Sequence, residues 1–307
     1  MIVRKYAAFC LLSFMVILCT SFTTTDHPLQ KSRLRKIVID PGHGGSDSGA
    51  PGRYSYEKNV ALAISLKLEE LLREQMPEIE LVVTRKSDVF HSPITKAQIA
   101  NQARGDLFVC IHANSADPIH HSELAGYKTV TKGKGKKKRT SKVPQYHTYS
   151  TPNPAKGTET YIWGAHKNDD KQLAMRENQS LYLDSTSAQS VKDFTKGSVE
   201  EMTGINLRTR QYFDRSVNLA ITIEEELEKA GRINRQALQR QKGIWVLQAV
   251  TMPAVLVETG YISNPEEEDF LNSKEGQGTI AQSIVNAIKR YKYSLDNKTI
   301  GTAIGAK

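Results

Sequence analysis

Four residues able to hold and use a metal ion stand at punctuated points of this 307-residue chain. His43 lies in Asp40-Pro41-Gly42-His43-Gly44-Gly45, directly after a short apolar run. His112 follows the apolar run Leu107–Ile111 and precedes Ala113-Asn114. Glu57 opens a stretch with helical periodicity, and Glu258 ends the run Val255-Leu256-Val257. Singly, each has an ordinary explanation. A glycine-flanked histidine serves as a turn residue, and a histidine after a strand serves as a core-edge side chain. A glutamate in a first helical turn suits the helix dipole, and one after apolar residues can pair with a buried arginine. Together they form a chemical set. Two imidazoles and one carboxylate supply three positions of a tetrahedral zinc site and leave one for water. Zinc lowers the pKa of that water to about 7. A second carboxylate, not bound to metal, can take the water's proton and pass it to a leaving group. Amide hydrolysis needs those parts. The glycines beside His43 permit a tight turn and leave room for a substrate. Spacing alone does not establish the site, because no His-Glu-x-x-His pair places two ligands on one helix.

The elements that must position these residues can be read from the hydrophobic pattern. Strands are expected at Lys36–Ile39, Leu81–Thr84, Leu107–Ile111, Thr158–Trp163, Ile244–Leu247 and Ala254–Val257. Leu107–Ile111 is apolar throughout, as expected of a strand buried on both faces. Helices are expected at Glu57–Met76, with Val60, Ile64, Leu68, Leu71 and Leu72 on one face, and at Thr95–Ala103. Others are expected at Leu173–Leu183, at Tyr212–Ala230 with Gly231 as its stop, after Asn264-Pro265, and at Ile280–Tyr291. Strands alternating with helices predict a single α/β domain over residues 30–295, a mostly parallel central sheet of about six strands flanked by helices. In such a sheet, strand ends and the loops that follow them bring polar side chains together. Residues 115–156 hold few large apolar residues and much Pro, Gly, Ser, Thr and Lys, and read as a long inserted loop. Residues 164–211 form a second insert, and 296–307 a polar tail.

Composition removes several function classes. Only one strongly apolar window exists, near the N-terminus, so a multi-span membrane protein is excluded. Arg4 and Lys5, the apolar run from Tyr6 to about Cys19, and the small polar residues after it read as a signal peptide over residues 1–25. The chain is therefore expected to be exported, to the periplasm or cell envelope. Cleavage before Asp26 leaves Cys110 as the single cysteine, which suits an oxidising compartment without an internal disulfide. Between Lys128 and Lys142 stand eight basic residues and no acid; removing those eight from the net charge of +9 leaves +1. The basic character thus belongs to one segment. It suits either a solvated insertion or attraction to an anionic wall polymer or lipid surface that weakens as salt rises. It does not suit nucleic acid, since the segment has only Tyr127, Tyr146 and Tyr149 near its ends for stacking.

The sequence closely resembles the zinc-dependent N-acetylmuramoyl-L-alanine amidases of the type 3 group, in particular those of cell separation. The resemblance is carried by Ile37 to Gly45, Glu57-Lys58-Asn59, Thr84-Arg85 with Asp88, Ala103 to Asn114, Gly157-Thr158-Glu159, and Val255 to Asn264, in the family's order. It implies that His43, Glu57 and His112 bind one Zn2+ and that Glu258 is the catalytic carboxylate activating the zinc-bound water. It also implies the substrate, peptidoglycan, cut between N-acetylmuramic acid and L-alanine in cell-wall remodelling and daughter-cell separation. Relatives acting at division sites often carry a helix that blocks the cleft until a protein activator binds. Gln189–Met202 could form such a helix, with Glu177, Glu200 or Glu201 reaching the metal. Asn114 ranks below the four, as a residue that could orient the substrate or support the ligating side chains. Cys110, on the strand face of His112, reads as a buried core cysteine rather than a ligand. The alternatives are a non-catalytic peptidoglycan-binding or regulatory protein on this fold, and a zinc deacetylase of another wall polymer.

Overall fold

The first strand, β1 (Lys36–Pro41), runs out of the sheet directly into the glycine-rich turn that carries His43. The computed structural model describes residues 34–133, 135–163, 199–240 and 244–297. The signal peptide expected over 1–25, the helix expected at Leu173–Leu183 and the parts of 164–211 and 296–307 beyond those ranges lie outside the described residues. Helix α1 (Glu57–Gln75) buries Val60, Ile64, Leu68 and Leu72, spaced four apart along one face. Strand β2 (Glu80–Val83) follows. Helix α2 (Pro93–Ala103) is capped by Ser92, whose hydroxyl accepts from the Thr95 N–H, and ends at Arg104 in the left-handed region, φ 53°. Strand β3 (Leu107–Asn114) is buried along its whole length.

Residues 115–156 correct the loop expectation. They form a two-stranded antiparallel hairpin, β4 (Ile119–Lys132) and β5 (Arg139–Thr151), with a bulge between Leu124 and Gly126. Nearly every residue in it is exposed. The segment lacks a core-facing set because neither face packs on a core. Its Thr, Val and Tyr residues suit strand geometry without one. At about 3.4 Å per residue, the 14 residues of β4 span roughly 48 Å.

Strand β6 (Thr158–Trp163) returns to the sheet, and helix α3 (Val199–Lys229) follows, starting well before the expected Tyr212. Strand β7 (Asn234–Arg240), helix α4 (Trp245–Ala249), strand β8 (Ala254–Tyr261), helix α5 (Pro265–Asn272) and helix α6 (Lys274–Asp296) complete the order. The sheet runs β2-β1-β3-β8-β6-β7, parallel at every pairing except the antiparallel β6–β8. The expected six-stranded, mostly parallel sheet is present, with one member exchanged. Ile244–Leu247 is not a strand, because both sides of β8 are taken by β3 and β6. Its apolar residues instead form a helical turn over the core. The sixth strand is β7, a polar edge strand without an apolar signature.

Side-chain alternation sorts the sheet into two unlike faces. Ile37, Ile39, Leu107, Val109, Ile111, Val255 and Val257 lie on the face where α1 and α3 pack. Helix α6 is tied to α1 through Gln75–Gln282 and to α3 through Arg290 with Glu225 and Glu226. Val38, Phe108, Cys110, Tyr161, Ala254 and Leu256 lie on the other face, under the much shorter α2 and α4. The same alternation continues on that second face to Asp40, His112, Asn114, Glu159 and Glu258. A small helical layer thus leaves the far end of the second face for polar side chains. Among the described residues no helix is long and apolar enough to cross a membrane.

Candidate metal centre

The turn after β1 is built to aim one imidazole. His43 adopts φ 53°, an uncommon left-handed conformation for a non-glycine residue, and Gly44 and Gly45 follow at φ 130° and 58°. Side chains at both glycines are barred: a Cβ at Gly44 would lie 2.3 Å from the Val89 carbonyl oxygen, and one at Gly45 2.5 Å from the Phe90 nitrogen. The turn is held from beneath by Arg85, 2% exposed, which donates to the carbonyls of Pro41, Gly42, Lys58 and Ser87. Asp88 accepts from the Gly45 N–H at 2.7 Å and from Lys58 Nζ at 2.7 Å, while Lys58 also donates to the Gly45 carbonyl. The Lys58 ammonium and the Gly45 N–H hold the Asp88 carboxyl below its ordinary range.

Three of the four candidate residues converge. Glu57 enters from the first turn of α1, wholly buried, with Oε2 accepting from the Ala50 N–H and Oε1 from the Ala113 N–H. His112 Nδ1 lies 2.8 Å from Glu57 Oε1, and His43 Nε2 lies 3.1 Å from the same oxygen. The two imidazoles meet edge to face with centroids 4.8 Å apart. One ligand atom from each of His43, Glu57 and His112 falls within 4.8 Å of the others, so the three could hold a metal ion. His43 Nδ1 is engaged by Asp47 Oδ2 at 2.8 Å, which directs Nε2 toward Glu57. Burial opposes the charge of Asp47, but the His43 contact outweighs it and lowers the carboxyl's pKa. Gly42 and Gly49 lie flat against the imidazoles: a Cβ at either would come within 2.6 Å of a His112 or His43 ring atom.

Glu258 lies one strand away, directly opposite His112 in the parallel β3–β8 register, and is fully buried. Across the antiparallel β6–β8 pair its partner is Glu159. Glu159 Oε1 accepts from Tyr261 Oη at 2.8 Å and Arg235 Nε at 2.6 Å; Oε2 accepts from Asn114 Nδ2 at 3.1 Å and from the Tyr161 hydroxyl. Asn114 thus holds Glu159. Below the His43–Glu57–His112 cluster, Asp40 takes the Cys110 thiol at 3.0 Å, the Thr84 hydroxyl and Lys96 Nζ at 3.2 Å. Burial raises the Asp40 carboxyl, yet Lys96, Cys110 and Thr84 together bring it below its ordinary value. The same burial drives the Cys110 thiol up to about 12, in keeping with a core cysteine rather than a ligand. A cleft beside the cluster is lined by Asp40, His43, Asp47, Lys96, His112 and Trp245.

The pattern of single residues did not reveal Asp47, Lys96 or Arg235, and Glu159 stood only within the motif Gly157-Thr158-Glu159. Asp47 carried one signal, its place four residues past His43 across a glycine turn. The insert residues gave none that can be followed here: Glu177 lies outside the described residues, and Glu200 and Glu201 are described only as backbone of α3.

A mostly parallel α/β sheet here brings an imidazole–carboxylate cluster that could hold a metal ion to its strand ends. Residues 37–290 match the family Amidase_3, N-acetylmuramoyl-L-alanine amidase, and the chain belongs to that family. The AmiC amidase of Escherichia coli O6:H1 is 31% identical over 267 residues, 86% of this chain and 55% of that protein. The chain therefore spans about half the length of that relative. The amidase of Clostridium difficile 630 shares the fold with a TM-score of 0.54 at 24% identity, covering 85% of this chain and 98% of that one. The Clostridioides difficile CwlD amidase, solved in complex with the GerS lipoprotein, does so with a TM-score of 0.50 at 22% identity, covering 84% and 98%.

Proposed function

We propose that this chain is an exported zinc hydrolase that cleaves the amide between N-acetylmuramic acid and L-alanine of peptidoglycan. The observation that carries the reading is the convergence of His43, Glu57 and His112 beside Glu258, on a chain of the amidase family. The residues fit the ion. On a tetrahedron with zinc–ligand bonds of about 2.0–2.1 Å, ligand atoms lie roughly 3.3 Å apart, and the contacts to Glu57 Oε1 are 2.8 and 3.1 Å. Two nitrogens and one oxygen are a donor set that zinc accepts. When bound, zinc would supply Lewis-acid polarisation of the scissile carbonyl and an acidified water.

The chain's own residues do the rest. Asp47 and Glu57 hold the imidazoles in place, and Arg85 keeps the His43 turn from relaxing. Glu258 takes the proton of the attacking water on a carboxylate oxygen and returns it to the leaving amine nitrogen. The Glu159 network, opposite Glu258 on β6, keeps the neighbouring strand ends rigid.

The physiological role we assign is wall remodelling and daughter-cell separation. A protein activator acting on the 164–211 insert belongs to the same proposal; CwlD, solved with GerS, is a fold relative seen with a protein partner. The basic hairpin is assigned to an anionic wall or lipid surface, with seven of its eight basic residues between Lys132 and Lys142.

The test is mass analysis of purified peptidoglycan after incubation with wild type and Glu258→Ala. Intact muramyl sugars and free stem peptides are expected from the wild type alone. Cleavage between sugars, acetate release, or equal activity in the variant would overturn the assignment. Zinc titration of the variant separates loss of chemistry from loss of metal, because Glu258→Ala should still bind one ion.

A further inference from the structure

The antiparallel β6–β8 junction has a geometric consequence. Strands β6 and β7 begin where β8 ends, so the first residues of β7 lie at the same end of the sheet as Glu258. There β7 carries a bulge: Thr158 pairs with Asn234 and Thr160 with Ala237, so Arg235 and Gln236 together oppose Glu159. Gln236 takes φ 84°, a conformation that disfavours a side chain. A strained bulge at a sheet edge re-aims the residue it contains. Here it turns Arg235 inward along the sheet face, its Cζ 5.1 Å from the Tyr261 ring centroid and its Nε 2.6 Å from Glu159 Oε1.

Arg235 is nevertheless 41% exposed along its side chain, whereas Glu159 is 7% exposed and accepts from four donors. The carboxylate is thus saturated, and it locks a guanidinium of five donors through one of them. An arginine held in this way, half open beside the buried Glu159 carboxylate, is arranged for planar recognition of a second anion.

We propose that Arg235 is a specificity residue that takes a carboxylate of the acidic stem peptide and so sets the register of the scissile amide. The proposal rests on the amidase reading above. Three strand spacings of about 4.8 Å separate β3 from β7, roughly 14 Å. An extended peptide covers about 3.4 Å per residue, so the carboxylate recognised belongs to a residue within about four of the amide. Tyr261 and Glu159 act as positioning residues that hold the guanidinium.

The test uses two peptides, L-alanyl-γ-D-glutamyl-L-lysine and its analogue with both carboxylates converted to carboxamides. Binding to the zinc-loaded wild type is measured by calorimetry, and cleavage of the matching N-acetylmuramoyl conjugates is followed separately. The wild type should bind the acid about tenfold more tightly than the carboxamide, the scale of one charge-assisted hydrogen bond. Arg235→Ala should remove that preference, raising KM for the acid conjugate alone, and Arg235→Lys should restore part of it. Equal binding of both peptides by the wild type overturns the proposal, as does a preference that survives in Arg235→Ala. A purely structural Arg235 would lower kcat for both conjugates alike. Failure of the wild type to cleave either conjugate refutes the amidase reading instead, and the binding arm still decides on Arg235.

Discussion

Gly42→Ala isolates the placement of His112 from everything else in the fold. Gly42 has no positive φ, so alanine meets no backbone objection there. The added Cβ would stand 2.6 Å from His112 Cε1 and Nε2 and 2.8 Å from Nδ1. Ordinary carbon contacts begin near 3.5 Å, so the ring must retreat by about 0.9 Å. It retreats while its Nδ1 is engaged with Glu57 Oε1 at 2.8 Å. Metal–ligand distances tolerate about 0.2 Å, and an error of about 1 Å in a reacting group costs on the order of 100-fold in rate. The overpacking itself should cost about 1–3 kcal/mol of stability. The expected result is a folded variant with zinc affinity and stem-peptide release each lowered by about two orders of magnitude. Zinc competition with a chromophoric chelator and thermal melting of the metal-free protein measure the two effects apart. Gly278→Ala, in α6 with open space around its Cβ, is the control and should leave zinc affinity and stem-peptide release unchanged. Wild-type zinc affinity and turnover in folded Gly42→Ala would refute the argument, because the ring could not then lie against Gly42.

Three further outcomes follow from buried charge and from the hairpin. Lys96→Met leaves Asp40 buried without its ammonium partner and should destabilise the chain by about 3–5 kcal/mol in urea unfolding at pH 7. Because the folded Asp40 pKa is depressed, the stability this pair contributes is present above the unfolded carboxylate value and is lost as pH falls through the folded one, so the wild-type advantage should shrink in acid. Glu224 on α3 accepts from Thr158 and Thr160 on the back of β6, and burial raises it from 4.5 to about 7. The folded state then binds more protons than the unfolded state between those values, and stability falls as pH rises through them. Glu224→Gln should therefore be more stable than wild type at pH 8, by at most about 3 kcal/mol, with the gap closing toward pH 5; parallel melting curves would contradict it. Replacing Lys134, Lys136, Lys137 and Lys138 with serine should weaken retention on anionic wall fragments at low salt and leave melting unchanged, since the hairpin packs on no core.

The amino-acid order by itself marked the central strands and α1, and the family motifs within it pointed to His43, Glu57, His112 and Glu258. Strands β1, β3 and β8 are continuous apolar runs buried on both faces, and α1 repeats its apolar residues every four positions; both are local signals. The glycine turn around His43 was legible because few other residues tolerate its φ values. Tertiary structure decided the rest. Ile244–Leu247 is apolar enough for a strand, but it covers the second sheet face as part of a helical turn. β7 escaped because an edge strand needs little apolar surface, and the β4–β5 hairpin because its mostly exposed strands carry no apolar alternation to mark them. Asp47 on His43, Lys96 on Asp40, and Arg235 on Glu159 are contacts between residues whose types are common everywhere. Their function depends on distances of about 3 Å between side chains, and those exist only once the sheet has brought its strand ends together.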